Sequence, residues 1–345
     1  MTQAITRRAL ASAALALTVV VVPLTATASA RSADTPPAAH AAARHEPRAR
    51  VCTAFDLPGD RIYPEGIAAD PRTGEIYVGS YKTGAVYKAT PGHRAARIFL
   101  PSGTDGRTTA NGLKVDRAGR LWVTDSTAGV AVYDLHDRKL IARFDVPGGA
   151  KPFVNDLAIA PDGSAYVTDS NRGVLYRVTP GQLARAAAHG GRAELTTAYD
   201  LTHVLPSIPA GSPGLNGIVV DPSGRYLLTV NTTAGTLYRV DLASGAVRHV
   251  TLRGGGVLHG DGLDMRGNTL WVVHNTTNAI SRWKVGDDGG SARRERGITD
   301  PSLQVPTTMV HSGGRLLVVR SQFDKGGPMG PGTPQPFTVA EVDGI

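Results

Sequence analysis

Short runs of alternating apolar residues, each followed by a turn, recur along most of the chain. In each copy a polar residue precedes an apolar strand, a turn of the Asp-Pro-x-Gly type or a close variant follows, and a second apolar strand leaves the turn. The third copy, VNDLAIAPDGSAYVTDS at 154–170, shows this order in full. The copies begin at residues 64, 110, 154, 215, 260 and 306, so they are 44 to 46 residues apart except for one interval of 61. Such a period indicates a repeat architecture with one unit per copy.

Each unit contains four short strand patterns and no helical period of comparable strength. GVLYRV at 173–178 is typical of the third strand, and KLIARF at 139–144 of the fourth. This pattern predicts an all-β fold, a six-bladed β-propeller with four-stranded antiparallel blades. The last unit lacks one strand, so we expect residues 51–57 to supply it and close the ring. The long interval predicts a short helix and a Pro/Gly-rich loop within 180–213. A β-sandwich with coincidental repeats is the alternative fold.

The first fifty residues differ from the repeats. Arg7 and Arg8 precede an apolar run at 10–24, and Ala28-Ser29-Ala30 fits a signal-peptidase site. We therefore expect a signal peptide at 1–30, a disordered lead-in at 31–50 and the propeller at 51–345. These segments predict a secreted, extracytoplasmic protein with no stable membrane span after signal cleavage. An uncleaved anchor is the alternative, and the export route stays open.

Composition and charge narrow the possible partners. Of the 345 residues, 41% are hydrophobic and 19% are charged, which is typical of a globular protein, and the formal net charge is +8. Six Lys and Arg but only two Asp and Glu lie in residues 1–50, so the predicted propeller carries only +4. This mild charge gives no reason to expect a nucleic-acid partner. Cys52 is the single cysteine, which excludes an internal disulfide. We expect it to be buried at a strand start, with a reactive thiol as the alternative.

One position of the repeat carries an oxygen-bearing side chain in every copy. The first strand of each propeller blade lines the central channel, so equivalent residues there form a ring. These ring residues are Glu65, Asn111, Asn155, Asn216, Asp261 and Thr307. The two carboxylates would repel each other unless a divalent cation neutralised them. Oxygen ligands favour Ca²⁺, with Mg²⁺, Mn²⁺ or Zn²⁺ as alternatives, although the lack of Cys or a His cluster argues against structural zinc. Taken singly, each Asn-Gly or Asp-Gly pair could instead be a turn.

The strand-entry sequences resemble those of the senescence marker protein / gluconolactonase family, which is related to paraoxonases and diisopropyl fluorophosphatase. The resemblance spans 51–345 and rests on EGI at 65–67, NGLKVDRAGRLWVT at 111–124, LNGIVVD at 215–221 and DGLD at 261–264. It implies a six-bladed propeller that hydrolyses lactones, esters or organophosphates with a divalent cation in its channel. It also implies a substrate contact at Asn111 and metal ligands at Glu65, Asn155, Asn216 and Asp261. Thr307 stands where some relatives have a channel His, and Gly262 where paraoxonases have a further Asn ligand.

The sequence therefore predicts an exported divalent-metal-dependent hydrolase of lactones or related esters, in which the metal polarises the carbonyl group and activates water. His259 is the preferred proton-transfer residue, because it lies two residues before Asp261 and would face the same side of an extended strand. Asp261 itself is the other candidate. The alternatives are a non-enzymatic ligand-binding propeller with a structural calcium, and a propeller like strictosidine synthase or the NHL proteins.

Three further acidic residues are expected to have structural roles. Asp125 and Asp169 end second strands in a repeated Val-Thr-Asp-Ser, and we expect them to cap turns or support the channel. Asp156 stands where four of the six copies have glycine. We expect Asp156 to be a turn residue, with a contact behind the metal ligands as the alternative.

Overall fold

Six β-sheets, each built on one copy of the sequence repeat, form the described part of the chain. The computed structural model describes residues 49–209 and 211–345. The predicted signal peptide at 1–30 lies outside the described residues, as does the predicted lead-in at 31–50 up to residue 48. The innermost strands of neighbouring sheets contact one another in an unbroken circuit. The chain is therefore an all-β, six-bladed propeller, as the repeat predicts.

The strands follow the chain order of the blades, after a first strand β1 (Arg50–Asp56). Blade 1 contains β2 (Pro64–Ala69), β3 (Ile76–Ser80), β4 (Val86–Ala89) and β5 (Arg97–Leu100), and blade 2 contains β6 (Leu113–Val115), β7 (Arg120–Asp125), β8 (Gly129–Asp134) and β9 (Leu140–Asp145). Blade 3 contains β10 (Val154–Ile159), β11 (Ala165–Asp169), β12 (Val174–Val178) and, after helix α1 (Pro180–Ala188) and β13 (Arg192–Glu194), β14 (Thr196–Asp200).

The second half of the chain repeats the same arrangement. Blade 4 contains β15 (Leu215–Val220), β16 (Tyr226–Asn231), β17 (Thr236–Asp241) and β18 (Val247–His249). Blade 5 contains β19 (Thr251–Arg253), β20 (Gly260–Arg266), β21 (Thr269–His274), β22 (Ala279–Val285) and β23 (Ser291–Thr299). Blade 6 contains β24 (Pro306–Ser312), β25 (Arg315–Arg320), β26 (Thr338–Asp343) and β1. Two short 3₁₀-helices lie in connections, at Thr104–Gly106 and Pro301–Leu303. Strands within a blade are antiparallel, and only β13 and β19 join blades 2 and 5 as parallel fifth strands.

Ring closure joins the two ends of the propeller in blade 6. β1 pairs antiparallel with β26, with Val51 opposite Val342. The Arg320 guanidinium fastens this seam, because it donates to Thr53 Oγ1 (2.8 Å) and to Thr338 Oγ1 (2.9 Å). The predicted closure by an N-terminal strand is confirmed.

Cys52 is exposed in β1, so the expectation of a buried cysteine is wrong. The physical reason is the place of β1 in the sheet, as the outer strand of blade 6 with a partner strand on one side only. Phe55 is the one fully buried side chain of this strand, and the others are partly or largely exposed.

The core is divided into six apolar clusters, one between each pair of neighbouring blades. Trp122 of blade 2 packs with Val167 and Tyr176 of blade 3 in one of them. Its indole Nε1 donates to Asp116 Oδ2 (2.8 Å), which satisfies the buried polar atom. Burying one large apolar side chain stabilises the fold by roughly 1.5–3 kcal/mol. These clusters hold the blades together and thereby set the spacing of the innermost strands.

Helix α1 confirms the short helix expected within 180–213. A capping box starts it: Thr179 Oγ1 accepts from Gln182 N (3.1 Å), and Gln182 Oε1 accepts from Thr179 N (2.7 Å). Pro180 fits the first helical turn, where its missing N–H costs nothing. Leu183 and Ala186 bury the inner face against blades 2 and 3. Among the described residues no helix has the length and apolar character needed to cross a membrane.

Candidate functional site

The ring residues lie where the innermost strands depart from regular pairing. In five blades the register between the first and second strands shifts across the ring residue, as between Val154 and Leu157 in blade 3 and between Gly260 and Leu263 in blade 5. A bulge of this kind takes a side chain out of strict alternation and re-aims it. In blade 2 the ring residue Asn111 lies just before β6. All six ring residues are buried.

The residue after the ring residue is glycine in four blades, at Gly66, Gly112, Gly217 and Gly262. A Cβ atom on Gly66 would lie 1.8 Å from the carbonyl oxygen of Asn111, and one on Gly217 would lie 2.1 Å from that of Asp261. Each contact is with the backbone of the next blade. Glycine is therefore required for the close approach of neighbouring strands around the channel. Asn216-Gly217 and Asp261-Gly262 lie within β15 and β20, so the alternative interpretation of these two pairs as turns is wrong, and Asn111-Gly112 comes directly before β6.

Four ring residues line both an outer and an inner cavity of the channel. We call the place where these four residues separate the two cavities the neck. The outer cavity, of about 200 Å³, opens among the loops that precede the innermost strands and those that follow the second strands, and it is walled in part by Tyr81, Phe153 and Phe323. The inner cavity, of about 10 Å³, has room for about one water-sized group. The residues that line both cavities include Glu65, Asn155, Asn216 and Asp261. The structure thus brings together the four residues predicted as metal ligands, whereas Asn111 and Thr307 line neither cavity.

Ser170 determines which atom of the Asn155 amide faces the neck. Its hydroxyl donates to the carbonyl oxygen of Leu215, so its Oγ can only accept from Asn155, whose Nδ2 lies 3.0 Å away. The Oδ1 atom of Asn155 consequently faces away from Ser170. It is buried and has no hydrogen-bond partner within the described chain. Leaving a buried acceptor unsatisfied is costly, and a cation at the neck would satisfy this one.

Asn111 is held in a similar way in blade 2. Its Nδ2 donates to Ser126 Oγ (2.7 Å), and its buried Oδ1 has no partner among the described residues. Because Asn111 lines neither cavity, its contact with substrate stays a prediction.

Two of the four proposed ligands are buried carboxylates with raised pKa values. Burial raises the pKa of Glu65 well above its usual value, and the carboxylates of Asp261 and Asp156 raise it further, while the ammonium of Lys114 acts in the opposite direction. Burial also raises the pKa of Asp261 to about 7, although a hydrogen bond from Asn275 opposes this change. The neck therefore concentrates negative charge at a cost that a bound cation would remove.

Asp156 is a buried strand residue and not a turn residue, so the predicted role is wrong. It lies in β10, where its Oδ1 accepts from Leu157 N (2.8 Å) and lies 3.7 Å from Lys114 Nζ. Its Oδ2 is buried and has no partner within the described part of the chain. Asp156 lines the inner cavity together with Glu65 and Asp261. This placement agrees with the alternative expectation of a contact behind the proposed ligands.

Asn275 is a site residue that the sequence predictions did not assign to the site. Its Nδ2 donates to Asp261 Oδ2 (2.8 Å), and its side chain lines the outer cavity. It follows β21 at the position where other blades have Ser126 and Ser170, which hold the ring residues Asn111 and Asn155 by accepting from their amides. The repeat places His274 and Asn275 with the second-strand exits that contain Asp125 and Asp169, for which capping of turns or support of the channel is expected.

His259 is not part of the extended strand that contains Asp261. It precedes β20 and has φ of 57°, so the alternation on which the prediction rested does not apply. It lines neither of the two cavities. Its role in proton transfer stays a prediction.

Asp125 and Asp169 have the structural role expected of them. Asp125 accepts from Thr108 N (2.8 Å), and Asp169 accepts from Phe153 N (3.0 Å). Each carboxylate therefore holds the loop that leads into a ring residue.

The donors at the neck suit a hard cation. They comprise two carboxylates and two amide groups, and oxygen ligands of this kind are typical of Ca²⁺ and Mg²⁺ sites. Across residues 49–209 and 211–345 no three His, Cys, Asp or Glu side chains are grouped so that they could hold a metal ion together. A cation at the neck would therefore depend on amide oxygens as well as on Glu65 and Asp261. The unpartnered Oδ1 of Asn155 fits that requirement.

Comparisons with known proteins support the fold without assigning a family. No protein-family model matches the chain, and no curated protein matches it. Several solved structures are similar at low sequence identity. A regucalcin from Agrobacterium tumefaciens, described as a calcium-binding protein, is 18% identical, with a TM-score of 0.56 over 84% of this chain and 97% of that one.

Enzymes are among the similar structures. A gluconolactonase from Xanthomonas campestris is 18% identical, with a TM-score of 0.58 over 85% of this chain and 89% of that one. Virginiamycin B lyase from Staphylococcus aureus is 13% identical, with a TM-score of 0.53 over 86% of this chain and 99% of that one. This chain therefore has a propeller fold that both a lactonase and a lyase use.

Proposed function

We propose that this protein is a divalent-cation-dependent hydrolase of lactones or related esters, with its site at the neck of the channel. The observation that carries the proposal is the convergence of two buried carboxylates and two amides there, with Oδ1 of Asn155 unpartnered. A cation held by Glu65, Asn155, Asn216 and Asp261 would polarise the substrate carbonyl and make bound water more acidic. Ca²⁺ is the expected ion, with Mg²⁺, Mn²⁺ or Zn²⁺ as alternatives.

The chain's own residues would orient the reacting groups. Ser170 holds the Asn155 amide, and Asn275 holds one oxygen of Asp261. Asp261 is the proposed acceptor of the proton from the attacking water, in preference to His259, because Asp261 lines the outer cavity. The apolar rings that wall this cavity would exclude further water from the reaction.

The size of the outer cavity favours a small substrate. Its volume of about 200 Å³ is below the roughly 300–1,000 Å³ that is usual for sites of drug-sized ligands. A monocyclic lactone or a short ester therefore suits the cavity better than a bulky one.

Ion binding and hydrolysis test the proposal separately. Metal analysis and calorimetric titration with Ca²⁺ should show one bound ion, and lactone and aryl-ester hydrolysis should be lost on chelation and regained with the ion. Glu65→Gln and Asp261→Asn should each weaken ion binding at least tenfold. The exposed Asp137 provides the matched control, since Asp137→Asn should change nothing. Undiminished ion binding in both neck variants would refute the site.

Ion binding without hydrolysis across a broad panel of lactones and esters would favour a ligand-binding propeller with a structural cation. That outcome would retain the proposed metal ligands and reject the proposed reaction.

We also propose that the protein is exported, on the evidence of the charged start, the apolar run and the Ala28-Ser29-Ala30 sequence. Sequencing the N-terminus of protein recovered outside the cytoplasm should show a start after Ala30. A chain retained in the cytoplasm with its first thirty residues would contradict this proposal.

A further inference from the structure

Lys114 brings a positive charge to the inner cavity, whose wall also carries three carboxylates. It lies in β6, three residues after Asn111, and about a quarter (27%) of its side chain is exposed. Among the residues that wall the inner cavity it is the one with a cationic side chain, and the same wall carries the carboxylates of Glu65, Asp156 and Asp261. Its Nζ lies 3.7 Å from Asp156 Oδ1.

The charged side chains at the neck leave an excess of two negative charges, which one divalent cation would neutralise. Three carboxylates and one ammonium sum to two negative charges when all are ionised. Asp156 is not among the proposed ligands, yet it faces the same cavity, and its Oδ2 has no partner in the described chain. Without Lys114, a bound divalent ion would leave one buried negative charge uncompensated, which is costly.

We propose that Lys114 is a built-in counter-ion which, by pairing with Asp156, leaves the neck with the two negative charges that one divalent cation neutralises. This inference rests on the proposed metal site and assigns Lys114 a specificity-determining role there. Lys114 contacts neither substrate nor the reacting water in this role. It acts through the electric field at the ligands, and it favours a divalent ion over a trivalent ion of similar size.

A comparison of Ca²⁺ with Tb³⁺ tests this role by equilibrium binding. Tyr81 lines the outer cavity together with Glu65, so its excitation should sensitise the luminescence of bound Tb³⁺ and report affinity, with Ca²⁺ measured by competition. The quantity of interest is the ratio of the Tb³⁺ to the Ca²⁺ affinity. Lys114→Met leaves three uncompensated carboxylates and should raise this ratio about tenfold, because a trivalent ion gains more from each added negative charge.

Asp156→Asn, which removes a negative charge, and the double variant with Lys114→Met complete the test. Asp156→Asn should lower the ratio by a similar factor, and the double variant should return to the wild-type ratio, since both changes together restore the net charge. Lys114→Arg retains the charge and should keep the wild-type ratio, and Lys284→Met removes an exposed lysine of blade 5 as a control. Circular dichroism establishes that each variant is folded.

The outcomes separate this inference from the proposed function. In one outcome the wild type binds the ions while Lys114→Met and Asp156→Asn both keep a ratio of Tb³⁺ to Ca²⁺ affinity within about twofold of the wild-type ratio. That result overturns the counter-ion role and retains the metal site. Failure of the wild type to bind either ion overturns the metal site and, with it, this inference. A changed ratio that the double variant does not restore also overturns the pairing of Lys114 with Asp156.

Discussion

The closest approach between blades gives a sharp test of how the channel is built. Gly66 follows the ring residue Glu65, and an added Cβ atom would lie 1.8 Å from the carbonyl oxygen of Asn111 and 2.9 Å from Leu113 Cδ1. Ordinary contacts of a Cβ atom begin at 3.4 Å. Gly66→Ala therefore forces the backbones of blades 1 and 2 apart by more than 1 Å, because no side-chain rotation can move a carbonyl group aside.

The expected cost is large for a change of one methyl group. Overpacking costs about 1–3 kcal/mol where side chains can adjust, and a backbone clash at this distance should cost about 3–5 kcal/mol. For a domain of this size the midpoint of thermal unfolding should fall by roughly 5–8 °C. Differential scanning calorimetry or circular dichroism measures the change directly.

Gly148→Ala is the matched control. Gly148 is exposed, an added Cβ atom would meet nothing within 4 Å, and its backbone is not in the left-handed region. Its substitution should leave stability unchanged or raise it slightly, because it restricts the unfolded chain. Gly66→Ala with the same midpoint as Gly148→Ala would refute the argument that glycine is required by the approach of the blades.

Other contacts give three more outcomes to measure. Ser170→Ala removes the acceptor for the Asn155 amide and the donor to the carbonyl oxygen of Leu215, so the free energy of unfolding should fall by about 2–4 kcal/mol. The Ca²⁺ affinity measured by calorimetry should also fall about tenfold. An unchanged affinity would mean that Ser170 does not orient the Asn155 amide. Burial raises the pKa of Asp261 from 3.8 to about 7, so its contribution to the stability of the metal-free protein is full below pH 3.8 and is lost as the pH rises towards 7. The free energy of unfolding should fall over that range in wild type, and Asp261→Asn with an equally steep fall would contradict this assignment. Cys52 is exposed and should react fully with an aromatic disulfide reagent in the native protein, whereas protection until unfolding would contradict its placement.

The fold could be predicted because a propeller blade is built from strands that are neighbours in sequence. Each repeat carries its own turns and its own apolar alternation, so the pattern in 154–170 describes the start of a whole blade. Closure could also be predicted, since the last repeat contains three strands of its own and a further strand pattern, at 51–57, precedes the first repeat. The blade architecture and the ring closure can both be inferred without knowing how far apart neighbouring blades lie.

The composition of the neck could be predicted for a related reason. A residue at the same place in every repeat occupies the same place around the axis, and Glu65, Asn155, Asn216 and Asp261 do line one neck. What lies between blades could not be predicted, because it depends on the separation of strands that are distant in sequence. The exposure of Cys52 follows from the edge position of β1, and the position of His259 follows from one left-handed backbone angle.

The distance between neighbouring innermost strands also explains why two blades have a residue other than glycine directly after the ring residue. Asp156 and Thr308 take that place in blades 3 and 6, and each faces a glycine of the preceding blade. A Cβ atom on Gly112 would lie 2.7 Å from both Cα and Oδ1 of Asp156, and one on Gly262 would lie 2.6 Å from Cα of Thr308. A side chain can therefore enter the crowded ring only where the preceding blade has none. The carboxylate beside Lys114 thus depends on Gly112, because a side chain at that position would collide with Asp156.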